Sequence, residues 1–183
     1  MASVRIDKTI YTTAPSPANR LPKEMAVYAF LADLSVPFSR VDHDPTASIA
    51  DCEEIDRLLD IEICKNLFLC NSQKTAFYLL MMPGKKPFQT KVLSHQIGSA
   101  RLSFAPPEYM EAFLNITPGS VSVLGLMNDK DHRVQLLIDR DVLAHPFFGC
   151  HPCINTSSLK IATEDLLHKI LPATGHVPTV VTL

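Results

Sequence analysis

The sequence has no run of about 18 or more uncharged apolar residues, which is what a membrane-spanning helix needs, so no membrane partner is expected. The first residues, Met1 to Pro17, carry Arg5, Asp7 and Lys8 but no apolar core, and a secretory signal is therefore not expected. An excess of either charge is also missing. Charged residues make up 20% and the net charge is −2. That balance argues against a globally basic nucleic-acid binder, and no DNA partner is expected. It leaves room for a local basic face, because phosphate binding follows local potential. Cysteine is sparse: five residues, an odd number without dense spacing, in a chain of 183 residues. A chain of that size folds without disulfide staples, so these read as reduced thiols in a cytoplasmic protein. There is no internal repeat and no low-complexity segment.

Hydrophobic residues at 46% supply a substantial core, and the length suits one domain. Residues 1–21, with Pro15 and Pro17 among polar neighbours, read as an N-terminal extension. Pro22 to Leu34 has helical spacing, opened by Pro22 and ended by Pro37. Phe38 to Val41 is strand-like. Ser48, with Asp51 and Glu53 behind it, resembles a helix start ahead of the stripe Ile49, Cys52, Ile55, Leu58 and Leu59.

Two continuous apolar runs, Leu67–Cys70 and Ala76–Met82, flank a polar turn and predict a hairpin of buried strands closed by Pro83-Gly84. Residues 89–97 and the segment after Pro106-Pro107 read as helices, with a short strand at Arg101–Phe104 between them. Val121–Met127 and Val134–Ile138 read as a second hairpin around Asn128–Asp131. Asp139–Leu143 reads as a helical turn. A strand after Asn155 leads into a helix over Thr163–Leu171, with Thr163 as its cap. Residues 177–183 read as a tail, with a last strand from Thr179. Helices mixed with hairpin-linked strands predict an α/β fold of α+β character, with a mixed, largely antiparallel central sheet flanked by helices.

Two short stretches carry the chemistry. In Cys150-His151-Pro152-Cys153-Ile154-Asn155-Thr156, polar residues stand just before a strand, where a rigid sheet aims His151 and Asn155. In Thr117-Pro118-Gly119-Ser120-Val121-Ser122, a Pro-Gly turn brings bare backbone N–H groups close to a ligand, since glycine has no Cβ to block the approach. A histidine opposite such a turn suits a hydrolytic pocket. The pair Cys150 and Cys153 with His151 between them suggests zinc, but a structural zinc takes four ligands, and Cys64 and Cys70 are a poor second pair. Neither a metal nor any other cofactor is expected.

The order of these motifs resembles the YbaK/ProX family of trans-acting aminoacyl-tRNA deacylases, freestanding relatives of the editing domain of bacterial prolyl-tRNA synthetases. The resemblance spans residues 22–176. It rests on Cys64-Lys65-Asn66-Leu67-Phe68-Leu69, Met82-Pro83-Gly84, Thr117–Ser122, His151-Pro152-Cys153-Ile154-Asn155-Thr156 and Gly175-His176. One departure is Val123, which stands where the family loop often carries proline.

The resemblance implies hydrolysis of a mischarged aminoacyl-tRNA at the acceptor end of proline tRNA. Alanine is the first substrate and cysteine the close alternative. A relative that binds tRNA or prolyl-tRNA synthetase without hydrolysis is the competing reading. On this basis Lys65, Gly119, Ser120 and His151 are the expected catalytic residues. The N–H groups around Gly119 and Ser120 would polarise the ester carbonyl or hold the water. Lys65 would meet a phosphate or ribose of the terminal adenosine as a point charge, and His151 would line the acyl pocket. Asn66, Val121, Ser122, Asn155 and His43 are expected around the substrate, with Asn155 also suited to holding its own loop by side-chain-to-backbone bonds. Lys85, Lys86 and Lys91, joined by Arg101, are the expected tRNA-binding surface.

Overall fold

A computed structural model describes residues 4–46 and 52–183. The predicted helix start at Ser48, with Ile49 and Asp51, lies outside the described residues. Among the described residues no helix is long and apolar enough to cross a membrane.

Helix α1 (Pro22–Asp33) opens on Pro22 at its first turn, where the missing N–H costs nothing. It is followed by β1 (Phe38–Asp42), α2 (Glu53–Leu59), β2 (Cys64–Asn71) and β3 (Phe77–Pro83). Next come α3 (Thr90–Ile97), β4 (Leu102–Phe104) and α4 (Pro107–Leu114), a 3₁₀ helix over Val123–Asn128, and β5 (Val134–Asp139). The chain ends with α5 (Arg140–Leu143), β6 (Phe147–Cys150), β7 (Ser157–Ala162), α6 (Thr163–Asp165), a π turn at Leu166–Ile170, α7 (Leu171–Thr174) and β8 (Thr179–Val181).

The mixed α/β architecture with flanking helices is as the sequence predicts, but the strands divide over two sheets. One has three strands in the order β1-β7-β6, and the other five in the order β4-β2-β3-β5-β8. The first is antiparallel throughout. In the second, β2 pairs antiparallel with β3 and β4, while β3–β5 and β5–β8 are parallel. A parallel bridge between Ile63 and Gly149 links the two. The main core packs Phe68, Phe77 and Leu79 of the larger sheet with Leu159 and Ile161 of the smaller one and with Tyr28 and Leu31 of α1. A second cluster, with Leu69, Leu80 and Leu93, fills the other face of the larger sheet.

The second predicted hairpin is not formed. Val123–Asn128 is the 3₁₀ helix, and β5 pairs in parallel with β3. Val123, Leu124, Gly125 and Leu126 are all buried, and a short, fully buried apolar run has no periodicity to separate strand from helix. Local chemistry decides: the Ser122 hydroxyl accepts from the Leu124 N–H, and a side chain at Gly125 would press on Leu114 at 3.2 Å. Thr163 is not a cap either. Its hydroxyl donates to the His145 carbonyl at 2.7 Å, tying the start of α6 to the end of α5.

Candidate active site

The site grows from the paired ends of β1 and β7. Asp42 lies opposite Ser157 and Val41 opposite Ser158. Beyond the ladder the His43 N–H donates to the Thr156 carbonyl at 3.0 Å and the Thr46 N–H to the Asn155 carbonyl at 3.3 Å. This register brings two imidazoles together, with the rings of His43 and His151 6.1 Å apart.

Their partners fix the tautomers. Nδ1 of His43 lies 2.8 Å from the Asp44 carbonyl and Nε2 lies 2.9 Å from Ser158 Oγ. A carbonyl only accepts, so Nδ1 carries the proton and Nε2 accepts from the Ser158 hydroxyl. Nδ1 of His151 lies 2.8 Å from the Ser157 carbonyl, which by the same logic leaves its Nε2 as an acceptor. Burial lowers the pKa of both rings, because the charged form is desolvated. The pair is therefore neutral at neutral pH.

Behind the imidazoles stands a charged network. Asp42 Oδ1 accepts from the Ser157 hydroxyl at 2.6 Å, and Oδ2 binds Arg20 at 2.8 Å and Arg40. Burial works against ionising Asp42, but hydrogen bonds from Arg20, Arg40 and Ser157 outweigh it and hold its pKa at about 2. Arg20 also bonds Glu24 at 2.8 Å. A cleft of about 330 Å³ opens here, lined by Arg20, Glu24, Asp42, His43, Ile154 and Thr156. Arg20 belongs to the segment expected as an N-terminal extension, yet it joins this network. The adjacent polar pairs Asp42-His43 and Ser157-Ser158 were the available signal for this network.

The glycine turn meets the same loop. Gly119 has φ +89°, and a Cβ on it would sit 3.6 Å from Asn155 Nδ2. Asn155 Nδ2 also donates to the Thr46 carbonyl at 3.4 Å, so Asn155 holds its own loop as well as flanking the turn. The N–H of Ser120 is taken by the Thr117 carbonyl at 3.1 Å, and among the described residues no backbone carbonyl takes that of Gly119. Among the described residues the Gly119 N–H, unlike that of Ser120, is left without a backbone carbonyl partner. Val121 is half-buried beside it. Ser122, expected near substrate, is fully buried and caps the 3₁₀ helix. The Cys150 thiol lies against it. Burial pushes the thiols of Cys64 and Cys153 up to about 12, so they are protonated and poor nucleophiles.

The start of β2 adjoins this cluster through β6, where Ile63 bridges Gly149. Strand alternation puts Cys64 and Asn66 on the main-core face and Lys65 on the face of Leu67 and Leu69. The Lys65 ammonium donates to the Lys86 carbonyl at 2.6 Å. Asn66 Nδ2 donates to the Cys64 carbonyl at 3.2 Å, and its Oδ1 is buried without a partner among the described residues. Its sequence neighbours tie Lys65 to the Gly119–His151 cluster: Ile63 bridges Gly149, and the Cys64 thiol faces Cys150. A larger cleft of about 800 Å³, lined by Asp56, Glu62, Cys64, Lys85, His145 and Phe147 among others, includes neither Gly119 nor either imidazole of the pair.

The basic residues also separate. Lys86 binds Asp139 at 2.8 Å and Asp141 at 2.7 Å, so its charge is already compensated. Lys91 and Arg101 line a third cleft, of about 440 Å³, with Thr90, Ser94 and Leu102.

Comparison with known proteins agrees with this frame. Residues 43–169 match the family model described as the aminoacyl-tRNA editing domain. The prolyl-tRNA editing protein ProX of Acetoanaerobium sticklandii is 32% identical over 153 residues, covering 84% of this chain and 93% of that protein. The prolyl-tRNA synthetase associated domain-containing protein 1 of Danio rerio is 26% identical over 153 residues, covering 82% of each. A crystal structure described as a candidate trans-editing enzyme for prolyl tRNA synthetase superposes with a TM-score of 0.65 at 18% identity. It covers 90% of this chain and 99% of that one, and at that identity it speaks for the fold alone. The segments around His43, Lys65, Gly119 and His151 all fall within the matched span, and the chain belongs to the aminoacyl-tRNA editing domain family, in its YbaK/ProX group, as an aminoacyl-tRNA deacylase.

Proposed function

We propose that the chain clears alanine from mischarged proline tRNA. The proline tRNA is supported by the name of the 32% identical relative, a prolyl-tRNA editing protein. The carrying observation is that Gly119, whose N–H has no backbone carbonyl partner among the described residues, stands against Asn155 in the loop that holds a neutral His151. In the reaction, water adds to the ester carbonyl carbon, the bond from that carbon to the ribose oxygen breaks, and the ribose hydroxyl leaves with a proton. Charge develops on the carbonyl oxygen. The Gly119 N–H is the donor for it, and loss of one such donor costs about 10²–10³ in rate. Nε2 of His151 is the acceptor for the attacking water or the α-amino group. Lys65 meets the terminal nucleotide at the margin of the larger sheet, as a point charge on phosphate or ribose.

Size selects the acyl group. A pocket that admits alanine and rejects the proline ring gives the opposite size bias to the synthetic site. That is what editing requires, since one methylene is worth only about 1–3 kcal/mol of binding. The test is a deacylation panel of alanyl, seryl, cysteinyl and prolyl esters of proline tRNA. We expect fast loss of alanine, retention of proline, and loss of activity in both Lys65→Ala and His151→Ala. Faster release of cysteine than alanine moves the chain to the cysteine-clearing group. Retention of every label identifies a tRNA- or synthetase-binding relative without hydrolytic activity.

A further inference from the structure

Lys86 stands in a lysine-rich stretch, but its surroundings differ from those of its neighbours. Its ammonium lies 2.8 Å from Oδ2 of Asp139, a carboxylate with 0% exposure, and 2.7 Å from Oδ2 of Asp141. Asp139 is itself fixed, because its Oδ1 accepts the Asp141 N–H at 3.0 Å and so caps α5 at the end of β5. Burial disfavours the charged ammonium, yet the close ion pair with Asp139 and the hydrogen bond to Asp141 raise its pKa. A buried carboxylate is retained only where a cation neutralises it. The backbone of Lys86 closes the turn after β3, with its N–H donating to the Pro83 carbonyl at 3.2 Å. Its own carbonyl then accepts from the Lys65 ammonium at 2.6 Å.

These contacts form a chain: Asp139 holds the Lys86 side chain, the side chain holds the turn, and the turn's carbonyl holds the head of Lys65. A lysine head has three donors, so one bond to Lys86 leaves two N–H groups for a ligand. A flexible four-carbon stem is otherwise free to sample many positions, and a misplaced charge is costly in a catalytic site. We propose that Lys86 is a positioning residue for Lys65 rather than part of the tRNA-contacting surface, with Asp139 and Asp141 as its anchors. The proposal rests on the deacylase reading in which Lys65 meets the substrate.

The experiment is single-turnover deacylation of Ala-tRNA(Pro), with the rate at saturating enzyme separated from the half-saturating concentration, for Lys86→Met, Lys86→Arg, Asp141→Ala and Lys65→Ala. Lys86→Met should lower the saturated rate roughly ten- to a hundredfold, with the half-saturating concentration and its salt slope unchanged. Lys86→Arg keeps the ion pair and should restore most of the rate. Asp141→Ala removes only the exposed anchor and should give a smaller loss in the same parameter. It serves as the test if Lys86→Met leaves Asp139 unpaired and does not fold. Adding Lys86→Met to Lys65→Ala should cause no further loss, because the two act through one group. A multiplicative further loss overturns the proposal, as does a normal saturated rate with weakened, less salt-dependent binding. A Lys65→Ala variant with wild-type activity instead removes Lys65 from the deacylase reading, a distinct failure.

Discussion

At the scale of single residues, protonation is set by what each ring faces. His43 and His151 each donate from Nδ1 to a carbonyl, His43 buried and His151 half-buried. Their pKa values lie below the ordinary 6.5 chiefly because of burial, and for His151 the neighbouring His43 adds to the effect. The unfolded chain therefore binds more protons than the folded one just below that pH. Stability falls as pH drops from about 6.5 toward the depressed folded values, and is fully present only above about 6.5. Activity follows the same sign if neutral His151 is the acceptor. The single-turnover rate should be level from about pH 8 to 6.5 and fall on further acidification, over the window where the buried rings take up protons. A rate that rises through this window would show that the imidazolium is the working form. These residues were legible in part. His151 and Gly119 stand out in the sequence by their motifs, whereas Arg20 meets Asp42 and Ser157 only once the β1–β7 register has set them side by side, a nonlocal pairing that the local polar pairs hint at but do not fix.

At the scale of elements, periodicity identified most helices and strands. It failed where burial is complete: the run through Leu124 and Leu126 reads as strand and folds as a 3₁₀ helix. It also could not assign strands to sheets, because pairing is nonlocal. The joint between the sheets is a case in point. Strand β6 was not predicted, yet its Gly149 bridges Ile63. A Cβ there would press on the Ile61 side chain and lie 3.1 Å from the Ile63 Cα. A side-chain end can turn aside, but backbone of a bridged pair cannot move without opening the joint. Gly149→Ala should therefore destabilise the protein by about 1–3 kcal/mol, the usual cost of overpacking, seen as a lower urea midpoint at unchanged slope. An unchanged midpoint would mean that the two sheets are free to part at Gly149.

At the scale of the whole molecule, the electrostatic question is how a chain of net charge −2 meets a polyanion. Overall charge does not draw the tRNA in, so attraction must come from a local excess of uncompensated cations. The ion pairs thin out the sequence's basic stretch, since Lys86 is matched by Asp139 and Asp141. Lys91 and Arg101 face a common cleft at α3 and β4, and Lys85 lines the cleft beside Glu62 and Asp56. Each lysine that neutralises a phosphate releases roughly one counterion, and removing it lowers the slope of log affinity against log salt by about 1. The double variant Lys85→Ala/Lys91→Ala should therefore bind uncharged tRNA more weakly at low salt, with a slope shallower by about 2. Lys86→Met should keep the wild-type slope. A wild-type slope in the double variant would place the phosphate contacts on another face, while a shallower slope in Lys86→Met would mean that its paired ammonium leaves the carboxylates for the nucleic acid.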